Sequence, residues 1–158
     1  MAERDLTIHG AKVIAHAWEG GGSQSFDYSD HMEQIGSFLN EQKANNKPLL
    51  IVVVGQTGAG KTMLAKVLAT NGSDTAYINC LAFRKVEKEK DFLSLLDSKN
   101  KTYLLDSPEF LNSTIWASVD NHVEHGGICV CFVQRKDDFQ GSVDCKYLML
   151  KRTSFTWE

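Results

Sequence analysis

Apolar residues in this chain fall into short blocks whose spacing changes character near Leu49. Before that point, "LTIHGAKVIAHAW" alternates apolar and polar positions over short stretches and predicts one or two strands. "EGGGSQS", Glu19 to Ser25, reads as a flexible loop because consecutive glycines leave the backbone unrestrained. Met32, Ile35, Phe38 and Leu39 then recur at helical period, and Asp30 and Glu33 have the spacing of a capping box. A helix is therefore expected from Asp30 to about Ala44, lying against the core. "NNKP" should end it, since proline disfavours helix in the residue before it.

From Leu49 onward, strand and helix patterns alternate. "LLIVVV" is apolar at every position, as in a strand covered on both faces. "KTMLAKVLAT" follows as a helix closed by "NG", then "TAYINC" as a strand and "EKDFLSLLDS" as a helix. "KTYLLD" is the third strand, "FLNSTIWASVDNHVEH" a helix stopped by Gly126 and Gly127, and "ICVCFV" and "CKYLML" are the last two strands. This alternation predicts an α/β fold of three layers, with a mostly parallel five-stranded sheet and helices on both faces. The change of pattern divides the chain into an N-terminal extension, 1–47, with short strands, a loop and one helix packing on the core, and a core of alternating strands and helices, 48–158.

Composition narrows the class. A chain of 158 residues fits one domain, and at that size about 70% of the unfolded surface is buried on folding. A hydrophobic content of 42% and a net charge of -3 exclude a disordered tail and a bulk polycation, so contact with nucleic acid would need a local basic patch. No apolar run approaches the roughly 20 residues of a membrane span, and "MAERDLTIHG" has no signal-peptide core. A cytoplasmic protein without a membrane partner is expected. Cys80, Cys129, Cys131 and Cys145 form no C-x-x-C pair and read as reduced thiols rather than metal ligands. The mixed-charge run "RKVEKEKD" reads as a solvated face.

The candidate chemistry begins where the first core strand ends. "GQTGAGKT" matches G-x-x-x-x-G-K-[ST] at Gly55, Gly60, Lys61 and Thr62, after an apolar strand and before a helix. Its glycines let the backbone curl so that amide groups converge on an anion at the positive end of that helix. Gly55, Gln56, Thr57, Gly58, Ala59, Gly60, Lys61, Thr62 and Met63 would hold the phosphates, with Lys61 reaching the β and γ groups. Thr62 would offer its hydroxyl to magnesium, which prefers hard oxygen ligands. The stretch strongly resembles the Walker A loop of P-loop NTPases, which implies ATP and Mg2+ as ligands.

A second acidic group is expected at the C-terminal end of a neighbouring strand, where ligands sit in open α/β sheets. Asp106 in "TYLLDSPEF" meets that description and resembles a Walker B aspartate, the second metal-side residue beside Thr62. Many RecA-like and AAA+ ATPases carry a glutamate immediately after that aspartate, whereas this chain has Ser107, and the nearest acid is Glu109 beyond Pro108. Glu109 is the candidate general base, with a helix-terminal acid as the alternative. Gln134, just past the fourth strand, resembles a γ-phosphate sensor, and Arg135 could neutralise transition-state charge within the chain or across a subunit boundary.

Residues 49–152 resemble two branches of the P-loop class. One is the FtsK-type group of translocases and packaging ATPases, whose fourth strand ends in glutamine. That resemblance implies a strand order with the Val133 strand between those ending at Val54 and Asp106, a homo-oligomer, and ATP hydrolysis coupled to movement on nucleic acid. The other is the type II thymidine kinases, which "LLDSPEFL" and "GICVCFVQRKDDFQG" resemble locally, although Ser107 replaces that family's glutamate and its paired zinc-lobe cysteines are absent. A GTPase ranks below both because there is no N-K-x-D sequence. A non-catalytic nucleotide-binding switch module is a further alternative. For nucleic acid, the best basic cluster is Arg135, Lys136, Lys146, Lys151 and Arg152, with Phe155 and Trp157 as stacking partners.

Overall fold

The computed structural model describes residues 6–9, 12–16, 23–27, 29–56, 58–71, 75–83, 85–96, 102–151 and 154–158. They form two compact units, Met1–Asn40 and Glu41–Glu158.

The first unit contains β1 (Leu6–His9), β2 (Lys12–His16) and β3 (Ser23–Asp27), an antiparallel sheet in the order β1-β2-β3. The alternating apolar stretch thus supplies two strands, as its period suggests. Ser23, Gln24 and Ser25, expected in a loop, belong instead to β3, where they pair with His16, Ala15 and Ile14. A partner strand provides the ladder that their own polar composition does not announce. The rest of that expected loop, 19–22, lies outside the described residues. Helix α1 (Ser29–Ala44) follows; it starts one residue before Asp30, so Asp30 falls in its first turn rather than capping it. Asn46 ends it in a left-handed conformation at φ 54°, which asparagine tolerates better than most residues. Gln42 Nε2 then donates to Pro48 O at 3.1 Å and fixes the exit of the chain.

The second unit is a six-stranded sheet. In chain order it comprises β4 (Leu49–Val54), α2 (Lys61–Asn71), β5 (Thr75–Asn79), α3 (Glu89–Leu96), β6 (Thr102–Asp106), α4 (Ser113–Glu124), β7 (Ile128–Val133), β8 (Lys146–Leu150) and β9 (Phe155–Trp157). The strand order is β5-β6-β7-β4-β8-β9. The first five are mutually parallel, as anticipated. The sheet then gains a sixth strand, β9, which returns antiparallel on β8 and which a three-residue segment of mixed polarity could not signal alone. The strand ending at Val133 does lie between those ending at Val54 and Asp106.

Side chains alternate across this sheet. Leu50, Val52, Tyr103, Leu105, Cys129 and Cys131 face one way and pack with Phe92 of α3 and Ile115, Trp116, Val119 and Val123 of α4. Strand β4 is buried at all six positions, so both faces are covered, which accounts for its unbroken apolar sequence. Each such fully buried large side chain contributes roughly 1.5–3 kcal/mol. The opposite face, which includes Tyr77, Leu104 and Asp106 by register, meets α2. Two boundary differences bear on the site. Cys80 leaves β5 for a 3₁₀ turn, Cys80–Phe83, and α4 begins at Ser113 rather than near Phe110. Asn112 caps α4 by accepting from Ile115 N at 3.0 Å, while Pro108–Phe110 form a separate 3₁₀ turn. Cys80, Cys129 and Cys131 are buried free thiols and Cys145 is half-buried. Among the described residues no helix is long and apolar enough to cross a membrane.

Candidate nucleotide site

The loop between β4 and α2 leaves the sheet at Gly55, whose amide donates to Val133 O at 3.0 Å and so ties the loop to β7. A Cβ at Gly55 would lie 3.1 Å from Ala59 Cβ, 3.2 Å from Leu150 O and 3.3 Å from Lys61 Cγ, so a side chain there would crowd the close return of the loop. Gly60 has φ 96°, a left-handed conformation that lets the chain curl directly into α2. The first amides of any helix have no carbonyl partner within it. Here the first turn of α2 carries no acidic side chain to complement that positive end and presents Lys61 instead. A site of this kind is suited to an anion. Thr57 lies outside the described residues; Gln56 and Gly58 are exposed, and Ala59, Gly60 and Met63 half-buried.

Lys61 folds back over the loop, donating to Gly55 O and, at 3.3 Å, to Gln56 O. Burial lowers its pKa below the ordinary lysine value, opposed by the charges of Asp106, Glu109 and Asp138. The sequence neighbours Lys61 and Thr62 therefore meet residues far along the chain. Thr62 Oγ1 donates to Asp106 Oδ2 at 3.0 Å, joining the start of α2 to the end of β6. Asp106 is the one buried charged residue among the described residues of the unit. The pair presents a hydroxyl and a carboxylate, the hard oxygen donors that suit magnesium, an ion that usually completes its shell with water and phosphate.

Beyond Asp106 the chain turns sharply. Ser107 adopts a left-handed conformation, φ 59° and ψ 51°, and its amide donates to Phe132 O at 3.1 Å. Pro108 continues the turn, and Glu109 comes within electrostatic range of Lys61 and Asp106. Glu109 Oε1 is buried with no hydrogen-bond partner among the described residues. Burial, the largest cause, raises its pKa above the ordinary glutamate value; the Asp138 and Asp106 charges push the same way, while Lys61 and a bond to its own backbone oppose them.

Lys61, Thr62, Asp106 and Glu109 thus converge. Gln134 and Arg135 do not enter the cluster in the same way: both are exposed beyond β7. Arg135 is held by Asp138, whose Oδ2 accepts from Arg135 N at 3.0 Å and whose Oδ1 lies 4.0 Å from Nη2. In the basic cluster, Lys136 pairs with Glu158 at 2.8 Å and lies over the Tyr147 ring, and Phe155 and Trp157 meet edge to face. Arg152 is outside the described residues. One contributor escaped sequence reasoning. Tyr77 in β5 donates its hydroxyl to Asp106 Oδ2 at 2.6 Å; only its position in a strand beside the aspartate strand could have pointed to it.

Comparison with known proteins places this geometry in a class. The Zeta toxin family model matches residues 34–91, a little over a third of the chain, from α1 through the phosphate loop to the start of α3. The Thermotoga maritima RuvB Holliday junction branch migration motor superposes with a TM-score of 0.53 at 15% identity, over 77% of this chain and 44% of that one. A variant of the same RuvB gives 0.52 at 14% identity over the same shares. This chain therefore spans less than half the length of the RuvB chains it resembles. No curated protein sequence matches it significantly. The fold is that of the P-loop NTPases, and the glycine-rich loop joins β4 to α2.

Proposed function

We propose that this chain binds ATP with Mg2+ and hydrolyses it. The observation that carries the reading is the 3.0 Å bond between Thr62 and Asp106, which brings the end of the phosphate loop to the end of β6, the acidic strand on the far side of β7. Lys61 and the amides from Gly58 to Met63 grip the phosphates, and Thr62 and Asp106 hold the metal. Magnesium, when bound, neutralises charge on the phosphates. Glu109, whose Oε1 is buried and whose pKa burial raises above the ordinary glutamate value, orients the attacking water and accepts its proton. Gln134 senses the γ phosphate from the end of β7. Arg135, exposed and bonded to Asp138, serves a neighbouring subunit in this reading.

The wider role is ATP-driven movement on nucleic acid by a cytoplasmic homo-oligomer, with residues 1–47 as an accessory extension on the 48–158 core. The strand order supports it, since β7 between β4 and β6 is what the RecA-like and AAA+ resemblance implies; RuvB, described as a branch migration motor, shares that fold. The partial Zeta toxin match and the thymidine-kinase-like "LLDSPEFL" favour a second reading, phosphoryl transfer to a small hydroxyl acceptor such as a nucleoside. The deciding experiment follows phosphate release from ATP with single-stranded DNA, double-stranded DNA or neither, beside transfer of labelled phosphate to nucleosides. Release stimulated by a polymer supports the motor; transfer to nucleosides supports the kinase. Tight nucleotide binding with neither activity leaves a binding switch.

A further inference from the structure

The Asp106 carboxylate is held from two sides. Thr62 Oγ1 donates to Oδ2 from the start of α2 at 3.0 Å, and Tyr77 OH donates to the same oxygen from β5 at 2.6 Å. The second contact has the length of a hydrogen bond to an ionised oxygen, a stronger class than neutral pairs. It follows from strand register. Asn79 is paired with Asp106 and Tyr77 with Leu104, so Tyr77 and Asp106 share a face but stand two residues apart along the sheet. That offset is about 6.6 Å, and the length of a phenol is needed to cross it; serine or threonine at position 77 would fall short.

We propose that Tyr77 is a positioning residue for metal-dependent nucleotide binding, its hydroxyl holding Asp106 in the orientation from which that carboxylate serves magnesium. The proposal deepens the ATP·Mg2+ reading and rests on it. Thr62 belongs to the junction that meets phosphate. Tyr77 belongs to a sheet strand, so its grip on Asp106 persists whatever the loop does. A phenol ordinarily titrates at about pH 10, so Tyr77 is a donor throughout the neutral range. Packing alone would be served equally well by phenylalanine, and the hydroxyl is explained by its partner.

The test measures affinity for a fluorescent ATP analogue in EDTA and across a Mg2+ titration, in wild type, Tyr77→Phe, Asp106→Asn and the double variant. Tyr77→Phe is expected to keep the wild-type affinity in EDTA while needing about tenfold more Mg2+ for half-maximal tightening, the scale of one hydrogen bond to a charged group. In the Asp106→Asn background the same change should add nothing. A Mg2+ dependence unaltered in Tyr77→Phe overturns the proposal, and so does an equal loss in EDTA accompanied by a lower melting temperature, which would make the phenol a packing group. Wild-type protein that binds the analogue without any Mg2+ effect would instead overturn the ATP·Mg2+ reading on which it rests.

Discussion

Thr62 and Asp106 stand 44 residues apart in the chain and 3.0 Å apart in the fold. One lies at the first turn of α2, the other at the last residue of β6, and the parallel sheet brings both to its C-terminal edge. Nothing local to either residue requires the contact. It arises because β6 and β4 flank β7 in register, with Asp106 paired to Phe132 and Val54 to Val133.

Removing the lysine that reaches over this edge is the simplest check on the phosphate loop. Lys61→Ala should reduce affinity for ATP by at least about 100-fold, the loss of charge-assisted bonds to phosphate. Its circular dichroism and melting midpoint should remain near wild type, because Lys61 is half-buried and its hydrogen bonds among the described residues go to carbonyls of its own loop. Equal affinity in the folded variant would end the assignment.

Glu109→Gln should lower phosphate release by about 100-fold or more while ATP binding persists, since general-base contributions usually span 10²–10⁴. Ser107→Ala should not reproduce that loss, because serine is a poor base near neutral pH. Normal release from Glu109→Gln would move the base to another residue or another subunit.

The same carboxylate should cost stability. With its folded pKa above the unfolded value, Glu109 binds its proton more tightly in the native state, so its contribution is fully present below the unfolded value near 4.5 and is lost as pH rises through the folded pKa. Glu109→Gln is therefore expected to raise the melting temperature at pH 7, with the gain shrinking toward pH 4. A gain that is the same at both pH values, or none at pH 7, would show that the burial of Oε1 carries no charge penalty.

The turn at Ser107 offers a backbone test. Its φ of 59° is in a region that glycine enters freely and β-branched residues resist. Ser107→Val should destabilise the protein, because a β-branched side chain resists the left-handed region more than serine does, and should reduce phosphate release by displacing Glu109. Ser107→Gly should leave release near wild type. Urea denaturation beside the release assay measures both.

Assembly can be read from kinetics. If Arg135 serves a neighbouring subunit, turnover per chain should rise with protein concentration, and Arg135→Ala should flatten that dependence without weakening ATP binding. Turnover per chain independent of concentration would place the working unit in the monomer.

Short-range physics made much of this protein legible in its residues. The unbroken apolar run Leu49–Val54, the glycines around Lys61 and the alternation of strand and helix periods each depend on neighbours within a few positions, and they led directly to a P-loop in a mostly parallel sheet. Asp106 stood out as an acid ending an apolar strand, and the fold brings Thr62 and Tyr77 to its carboxylate. What pairing across the sheet decided was not. The polar segment Ser23–Ser25 became a strand because β2 offered it a ladder, β9 closed the sheet edge only because β8 lay beside it, and Tyr77 acquired its contact from a register that places it two residues below Asp106. Glu109 was visible as an acid near the right strand, but whether its carboxyl would be solvated or buried depended on the left-handed turn at Ser107 and on the elements that close over it. Hydrogen-bond ladders, desolvation and charge coupling act between residues that only the folded chain brings together, and for that reason tertiary structure alone decided them.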